Sequence, residues 1–151
     1  MGNVTLRPVL DEDFAFLWWL HQATMREYVE QTWGWDDAFQ AQRFRDAFVA
    51  DREGMTIVDD AAEPIGYLRV VRDQARWFLA AIVIAPSHQG QGIGGRLVTA
   101  VCQDAGALGM PVDLQVLKVN PAIRLYQRLG FALTGETATH YTLRHEPPGA
   151  A

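Results

Sequence analysis

The sequence predicts an α/β fold with a mixed sheet, and three observations carry that prediction. Short β-branched or apolar runs alternate with longer stretches of helical periodicity along the 151 residues. One run, Ile82-Val83-Ile84, passes through Ala85-Pro86 into a turn with four glycines between Gly90 and Gly95. That turn opens an amphipathic stretch in which Ile93, Leu97, Val101, Ala105 and Leu108 recur every three or four residues.

The elements follow in order. Val4 to Arg7 reads as a short strand stopped by Pro8. Asp11 reads as an N-cap, with Glu12 and Asp13 well placed beside the helix dipole. Phe14, Leu17, Leu20 and Met25 form a helical stripe, with Trp18 and Tyr28 alongside, fading before Trp33-Gly34-Trp35. A second helix starts at Asp36 or Asp37 and carries Phe39, Phe44 and Phe48 to about Asp51. Met55 to Val58, Ile65 to Val71 and Trp77 to Ile84 read as strands, the first two joined by a polar turn from Asp59 to Glu63. Gly109-Met110-Pro111 ends the helix after the glycine turn, and Val112 to Val116 is the next strand. Asn120-Pro121 opens a last helix, with Asn as cap and Pro at the first helical position, running to Leu129 and stopping at Gly130. Phe131 to Leu133 and Tyr141 to Leu143 close the order β-α-α-β-β-β-α-β-α-β-β. Residues 1–146 read as one domain and 147–151 as a frayed tail.

Composition bounds the function. Apolar content of 49% and charged content of 21% are those of a globular protein. A net charge of −5 argues against a nucleic-acid-binding surface. The apolar run Phe14 to Leu20 is too short to span a membrane, and no signal peptide is visible, so the chain reads as cytoplasmic with no membrane partner. The single cysteine, Cys102, excludes an internal disulfide and a cysteine zinc cluster, and no metal is expected. Mid-helix and far in sequence from any His, it reads as a packing residue rather than a nucleophile.

The glycine turn has a chemical use. The first turn of a helix holds N–H groups without intrahelical partners, and the dipole adds partial positive charge there. Glycines permit positive φ and bring the backbone close to a bulky anion, so a phosphate is held by the main chain without a lysine. Four glycines in six residues also cost stability, about 1 kcal/mol for each one inside a helix, which a ligand would justify.

Two families write such a stretch. Gly90-Gln91-Gly92-Ile93-Gly94-Gly95 matches the dinucleotide fingerprint G-x-G-x-x-G. Gln89-Gly90-Gln91-Gly92-Ile93-Gly94 resembles the Q/R-x-x-G-x-G/A segment of the GNAT superfamily of N-acetyltransferases. A second stretch arbitrates. Asn120 to Phe131 resembles the GNAT pattern N-x-x-A-x-x-L-Y-x-x-L-G-F, although Asn120 stands one residue nearer to Tyr126 than in many members. A dinucleotide-binding chain has no use for that pairing, and it wants an acidic residue at the end of the next strand, where Asp113 instead opens it. The resemblance covers nearly the whole chain and implies the GNAT (acyl-CoA N-acyltransferase) fold, a mixed, mostly antiparallel sheet flanked by helices.

The same resemblance implies an acetyl-CoA-dependent N-acetyltransferase that moves an acetyl group directly onto a primary amine, with acetyl-CoA as co-substrate. Backbone groups of Ile82, Val83 and Ile84 should line the pantetheine arm. Gln89, Gly90, Gln91, Gly92, Ile93 and Gly94 should hold the pyrophosphate, with Gly95 and Arg96 close by. Tyr126 should donate a proton, or a hydrogen bond, to the departing sulfur, its phenol being neutral at pH 7 with an ordinary pKa of about 10. Asn120 is either a cofactor contact or a plain helix cap. Some branches carry a glutamate eleven residues before the Gln, where this chain has Phe78, and the branch acting on ribosomal-protein N-termini carries one at Leu114 or Gln115. With both absent, Glu30 and His140 are the leading candidates for the base, and a water chain is the alternative. Trp33, Trp35 and Asp36 are candidates for the acceptor wall, against core packing for at least one tryptophan. The acceptor is a small-molecule or peptide amine. Family members are often dimers, so a homodimer is allowed, with no interface legible. The alternative function is a catalytically silent CoA-binding or regulatory module of the same shape.

Overall fold

The computed structural model describes residues 3–149. Its elements are β1 (Val4–Pro8), a 3-10 turn at Asp11–Asp13, α1 (Phe14–Trp33), α2 (Asp37–Ala50), β2 (Met55–Asp60), β3 (Glu63–Arg72), β4 (Trp77–Ile84), a 3-10 turn at Pro86–His88, α3 (Ile93–Ala107), β5 (Val112–Leu117), α4 (Ile123–Arg128), β6 (Ala132–Glu136) and β7 (His140–His145). The seven strands hydrogen-bond in the order β1-β2-β3-β4-β5-β7-β6. β4 and β5 run parallel, while β1–β2, β2–β3, β5–β7 and β6–β7 are antiparallel. The mixed, mostly antiparallel sheet expected from the sequence is therefore formed. The chain groups into two compact units, residues up to 69 with 81–91, and residues 70–80 with those from 92 onward.

In the first unit α1 and α2 bury one face of the strands. Leu17, Leu20 and Phe48 from the helices meet Ile57 of β2 and Tyr67 of β3, with Ala81 and Val83 of β4 packed against them. Leu20 and Ile57 are fully buried, each worth about 1.5–3 kcal/mol relative to exposure. Phe39, placed in the apolar stripe of α2, is 60% exposed, so Phe44 and Phe48 carry that packing. Burial pushes the Tyr67 phenol up to about 12.

The start of α1 departs from expectation. Asp13, not Asp11, does the local bonding: its carboxylate accepts the Leu10 N–H at 2.8 Å and two guanidinium bonds from Arg7 at 2.9 Å. Arg7 also reaches Asp59 of β2 at 2.9 Å, so a buried carboxylate on each side recruits this one cation. Asp11 is left exposed to pair with Arg52. The β2–β3 turn is also tighter than expected: Asp60 pairs with Glu63, and only Ala61 and Ala62 turn, at φ 51° and 69°. A two-residue hairpin turn of that kind needs positive φ at both centres, and Asn or Gly is its usual signal. Two alanines give no such signal and cost about 1–2 kcal/mol each.

In the second unit α3 packs on β5. Val98, Val101, Cys102 and Ala105 are buried, as are Val112, Leu114 and Val116 of β5. Leu108 does not extend the stripe: the helix ends at Ala107, Gly109 turns the chain at φ 71°, and Leu108 is 66% exposed. Burial pushes the Cys102 thiol up to about 11, in keeping with a packing residue. The last helix starts at Ile123, not at Pro121. Pro121 and Ala122 instead form a tight turn whose carbonyls accept the Arg124 and Leu125 N–H groups at 3.1 and 3.0 Å. Strands β6 and β7 are longer than the sequence indicated. Of the expected tail, Pro148 lies against Gly106 of α3, and residues 150 and 151 fall outside the described residues.

Candidate functional site

The junction from β4 to α3 keeps the predicted order of strand, glycine turn and helix. Gly90 and Gly92 have φ of 76° and 80°, and a side chain at either would meet nothing within 4 Å. Glycine is therefore required there by backbone conformation, and the turn is open rather than plugged. Gly92 is the N-cap of α3, and no side chain caps that helix. The first helical bond runs from the Arg96 N–H to the Gly92 carbonyl at 3.1 Å, so the N–H groups of Ile93, Gly94 and Gly95 precede the ladder. Arg96 is exposed in that first turn. Open main chain, uncapped N–H groups and a nearby cation fit a diphosphate.

Side chains brace the turn rather than fill it. The Gln89 amide donates to the Ile84 carbonyl at 2.9 Å, tying the turn to the end of β4. Gln91 donates to the Ser87 carbonyl at 3.4 Å. His88 links the Ser87 hydroxyl, 2.8 Å from Nδ1, to Asp60 of β2, 3.3 Å from Nε2. Sequence reasoning assigned both glutamines to the ligand and passed over His88, whose partner lies far away in the chain.

In the second unit, Tyr126 of α4 is half-buried, with its ring edge-on to Phe131 at 5.9 Å. Both belong to the motif that ends in Gly130-Phe131. Burial raises the Tyr126 phenol, which is therefore neutral and able to donate across the physiological range. Asn120 does not cap α4, whose N-cap is Ala122 without a side-chain bond; its Oδ1 accepts the Ala122 N–H at 2.9 Å in the turn before the helix. His140 opens β7, its Nδ1 2.8 Å from the Thr139 hydroxyl and its N–H donating to Thr137 Oγ1 at 3.0 Å.

A cleft of about 300 Å³ in the same unit is lined by Arg76, Phe78, Asp113, Leu114, Gln115, Thr134 and Thr142, with Leu143. Phe78, Leu114 and Gln115, the three positions at which the resemblance sought a base, thus share one cleft. Asp113 is the carboxylate lining it. Arg144 grips it through Nε and Nη2 at 2.7 and 2.9 Å, and Arg76 Nη1 adds a bond at 2.8 Å. Those bonds, Arg144 first, hold its carboxyl below the usual range. A carboxylate so stabilised in its charged form is a poor proton acceptor.

The tryptophan-rich segment belongs to the first unit. Trp35 stacks on Trp18 at 6.1 Å and lies 5.9 Å from the His21 ring, which in turn stacks on Phe44, and its Nε1 donates to Asp37 at 2.6 Å. Arg26 lies over the Trp35 ring at 5.1 Å, so the protein supplies its own cation there. Asp36 caps α2, accepting the Phe39 N–H at 2.9 Å. Trp35 therefore packs α1 against α2, while Trp33 is 59% exposed. Glu30, also exposed, pairs with Arg26 at 3.1 Å. Burial, then Arg43, lowers the His21 pKa and keeps that imidazole neutral.

Comparison with known proteins locates this arrangement. A family model described as the acetyltransferase (GNAT) family matches residues 14–131. Among solved structures, the chain is similar to a PaiA N-acetyltransferase from Thermoplasma acidophilum in complex with coenzyme A, at 12% identity and a TM-score of 0.78, covering 95% of this chain and 98% of that one. It is similar to the ribosomal-protein-S18-alanine N-acetyltransferase from Escherichia coli, at 17% identity and a TM-score of 0.68, covering 98% and 96%. It is also similar to a spermidine N-acetyltransferase SpeG chimera from Vibrio cholerae and hSSAT, at 22% identity and a TM-score of 0.69, covering 95% of each chain. No helix among the described residues is long and apolar enough to cross a membrane.

Proposed function

The chain belongs to the acetyltransferase (GNAT) family, and from that premise we propose that it transfers an acetyl group from acetyl-CoA to a primary amine. The observation that carries the reading is the open, uncapped N-terminus of α3 behind the glycine turn. The N–H groups of Ile93, Gly94 and Gly95, with Arg96, would hold the diphosphate, and the main chain of Ile82, Val83 and Ile84 the pantetheine arm. Bound there, acetyl-CoA supplies the activated thioester.

The chain's own residues do the rest. Main-chain contacts orient the arm and convert the encounter into an intramolecular one. The Tyr126 hydroxyl holds the proton that the departing thiolate needs. Asp113 is committed to Arg144 and Arg76, so the amine proton goes to Glu30 or His140, or to water. Asn120, whose side-chain oxygen serves the Ala122 N–H, acts chiefly by shaping the entry to α4. Trp33, which is 59% exposed, would contribute to the wall around an amine with an apolar body.

One observation favours a second reading, a CoA-binding module without turnover: the cleft that gathers Phe78, Leu114 and Gln115 holds no uncommitted carboxylate. Thiol release from acetyl-CoA across an amine panel separates the two. The panel includes spermidine and peptides with N-terminal alanine, the acceptors named for two structural neighbours. Turnover with any acceptor supports the enzyme. CoA binding without turnover supports the module, and no CoA binding refutes both.

A further inference from the structure

Gly66 stands in the middle of β3, between the buried residues Ile65 and Tyr67. Its φ is not positive, so no turn requires a glycine there. Space requires it instead. A Cβ on Gly66 would lie 2.3 Å from the Val83 carbonyl oxygen of β4, 3.2 Å from the Ile84 Cα and 3.0 Å from the Ile84 Cδ1. Ordinary non-bonded contact is about 3.5–4.0 Å, so the missing methyl group is replaced by another strand's backbone. A flexible side chain could move away; a carbonyl inside a strand cannot without taking its peptide with it.

The surroundings hold the next peptide, Ile84–Ala85, in place. The Ala85 N–H donates to the Ile65 carbonyl at 2.7 Å, immediately beyond the contact. Gln89 closes on the Ile84 carbonyl from the turn. On the other side of β3, Gly66 pairs with Val58, next to a register shift between Val58 and Asp59. The Val83–Ile84 peptide is planar and trans, so the Ile84 N–H points opposite to the Val83 carbonyl, away from Gly66.

We infer that Gly66 is a positioning residue for the acetyl donor: by lacking a side chain it lets the Val83 carbonyl press onto β3, and this aims the Ile84 N–H at the pantetheine arm. The inference rests on the acetyltransferase reading above and assigns a role to a residue outside both sequence motifs. A shift of about 1 Å in that peptide, roughly what one methyl group demands, is enough to cost up to about 100-fold in rate when a reacting group is displaced.

The test is Gly66→Ala, with adenosine 3′,5′-bisphosphate as a probe that has the nucleotide end of CoA and no pantetheine arm. In a folded variant, kcat/KM for acetyl-CoA should fall at least 10-fold and CoA binding should weaken, while affinity for the bisphosphate stays within twofold of wild type. Equal losses for both ligands, or kcat/KM within twofold of wild type, overturn the inference. If the variant does not fold, amide exchange in the wild-type protein decides. The Ile84 amide should be slowed by CoA and not by the bisphosphate, and no slowing by CoA overturns the role. A wild-type protein that binds no CoA overturns the acetyltransferase reading itself, an outcome distinct from a wild-type enzyme indifferent to Gly66→Ala.

Discussion

Replacing Asp113 by Asn tests the clamp and the missing base together. Asp113 receives three charge-assisted bonds, two from Arg144 at 2.7 and 2.9 Å and one from Arg76 at 2.8 Å. Bonds to charged groups are worth about 1.5–3 kcal/mol each when desolvated. The Asp113 side chain is 13% exposed, but Arg144 and Arg76 are 36% and 45% exposed, so both guanidinium groups regain water when the partner is lost. The net cost lies between that of a surface pair and a buried pair, about 2 kcal/mol. For a chain of this size that is a fall in Tm of about 4–8 °C at pH 7. The folded pKa of Asp113 lies below its unfolded value, so the clamp contributes fully above the ordinary carboxylate range and is lost as pH falls through the folded value. The gap between wild type and variant therefore closes in acid. Thermal denaturation from pH 7 to pH 3 reads this directly. A gap under about 1 °C at pH 7, or one that widens in acid, refutes the clamp. Turnover should stay within a few-fold of wild type; a loss beyond about 100-fold in the folded variant would make Asp113 the base after all.

Three further outcomes are expected. Tyr126→Phe should lower kcat by about 100-fold, the low end for general acid catalysis, and leave CoA affinity nearly unchanged, as read by thiol release and calorimetry; an unchanged kcat removes Tyr126 from the chemistry. Gly92→Ala forces a side chain into φ 80° at a cost of about 1–2 kcal/mol, so Tm should fall by a few degrees and CoA affinity at least 10-fold. Tm loss with intact affinity would free the turn from ligand duty. With its thiol near 11, Cys102 should present about one thiolate in a thousand at pH 8 and react with a disulfide reagent only upon unfolding. Rapid reaction in the native protein would show that the site is not closed.

Legibility in the sequence followed the range of the interaction. β4 was readable to the residue, because a β-branched run bounded by Pro86 is a local signal. The sequence places the start of α2 at Asp36 or Asp37, and the fold makes Asp36 its cap. The two-alanine turn was not, since its conformation is imposed by the register of β2 and β3 rather than by its own residues. Local grounds point to Asp11 as the α1 cap, yet Arg7 and the Leu10 N–H engage Asp13. Asp113 read only as the start of a strand, because its partners lie 31 and 37 residues away.

The same distinction runs through the site. A ligand held by main chain would leave a local record, because glycine adopts the positive φ at Gly90 and Gly92 without the steric cost that other residues meet there. A base or an acceptor wall is built from side chains that meet across the fold, and any acidic or aromatic residue fits the pattern equally well. Trp35 shows the consequence: composition offers it to an amine, while the fold gives it Trp18 and Arg26 against its ring and Asp37 at its Nε1. Gly66 lies between these cases. A lone glycine inside a strand pattern is a local signal of close backbone approach. What approaches it, the Val83 carbonyl, is long-range information that only the folded chain supplies. On the proposed function, the donor half of the reaction is thus written as conformation and the acceptor half as contacts. Substitutions at Gly66, Gly90 and Gly92 should therefore move CoA binding for every acceptor alike, whereas changes in acceptor preference should come from side chains outside both motifs.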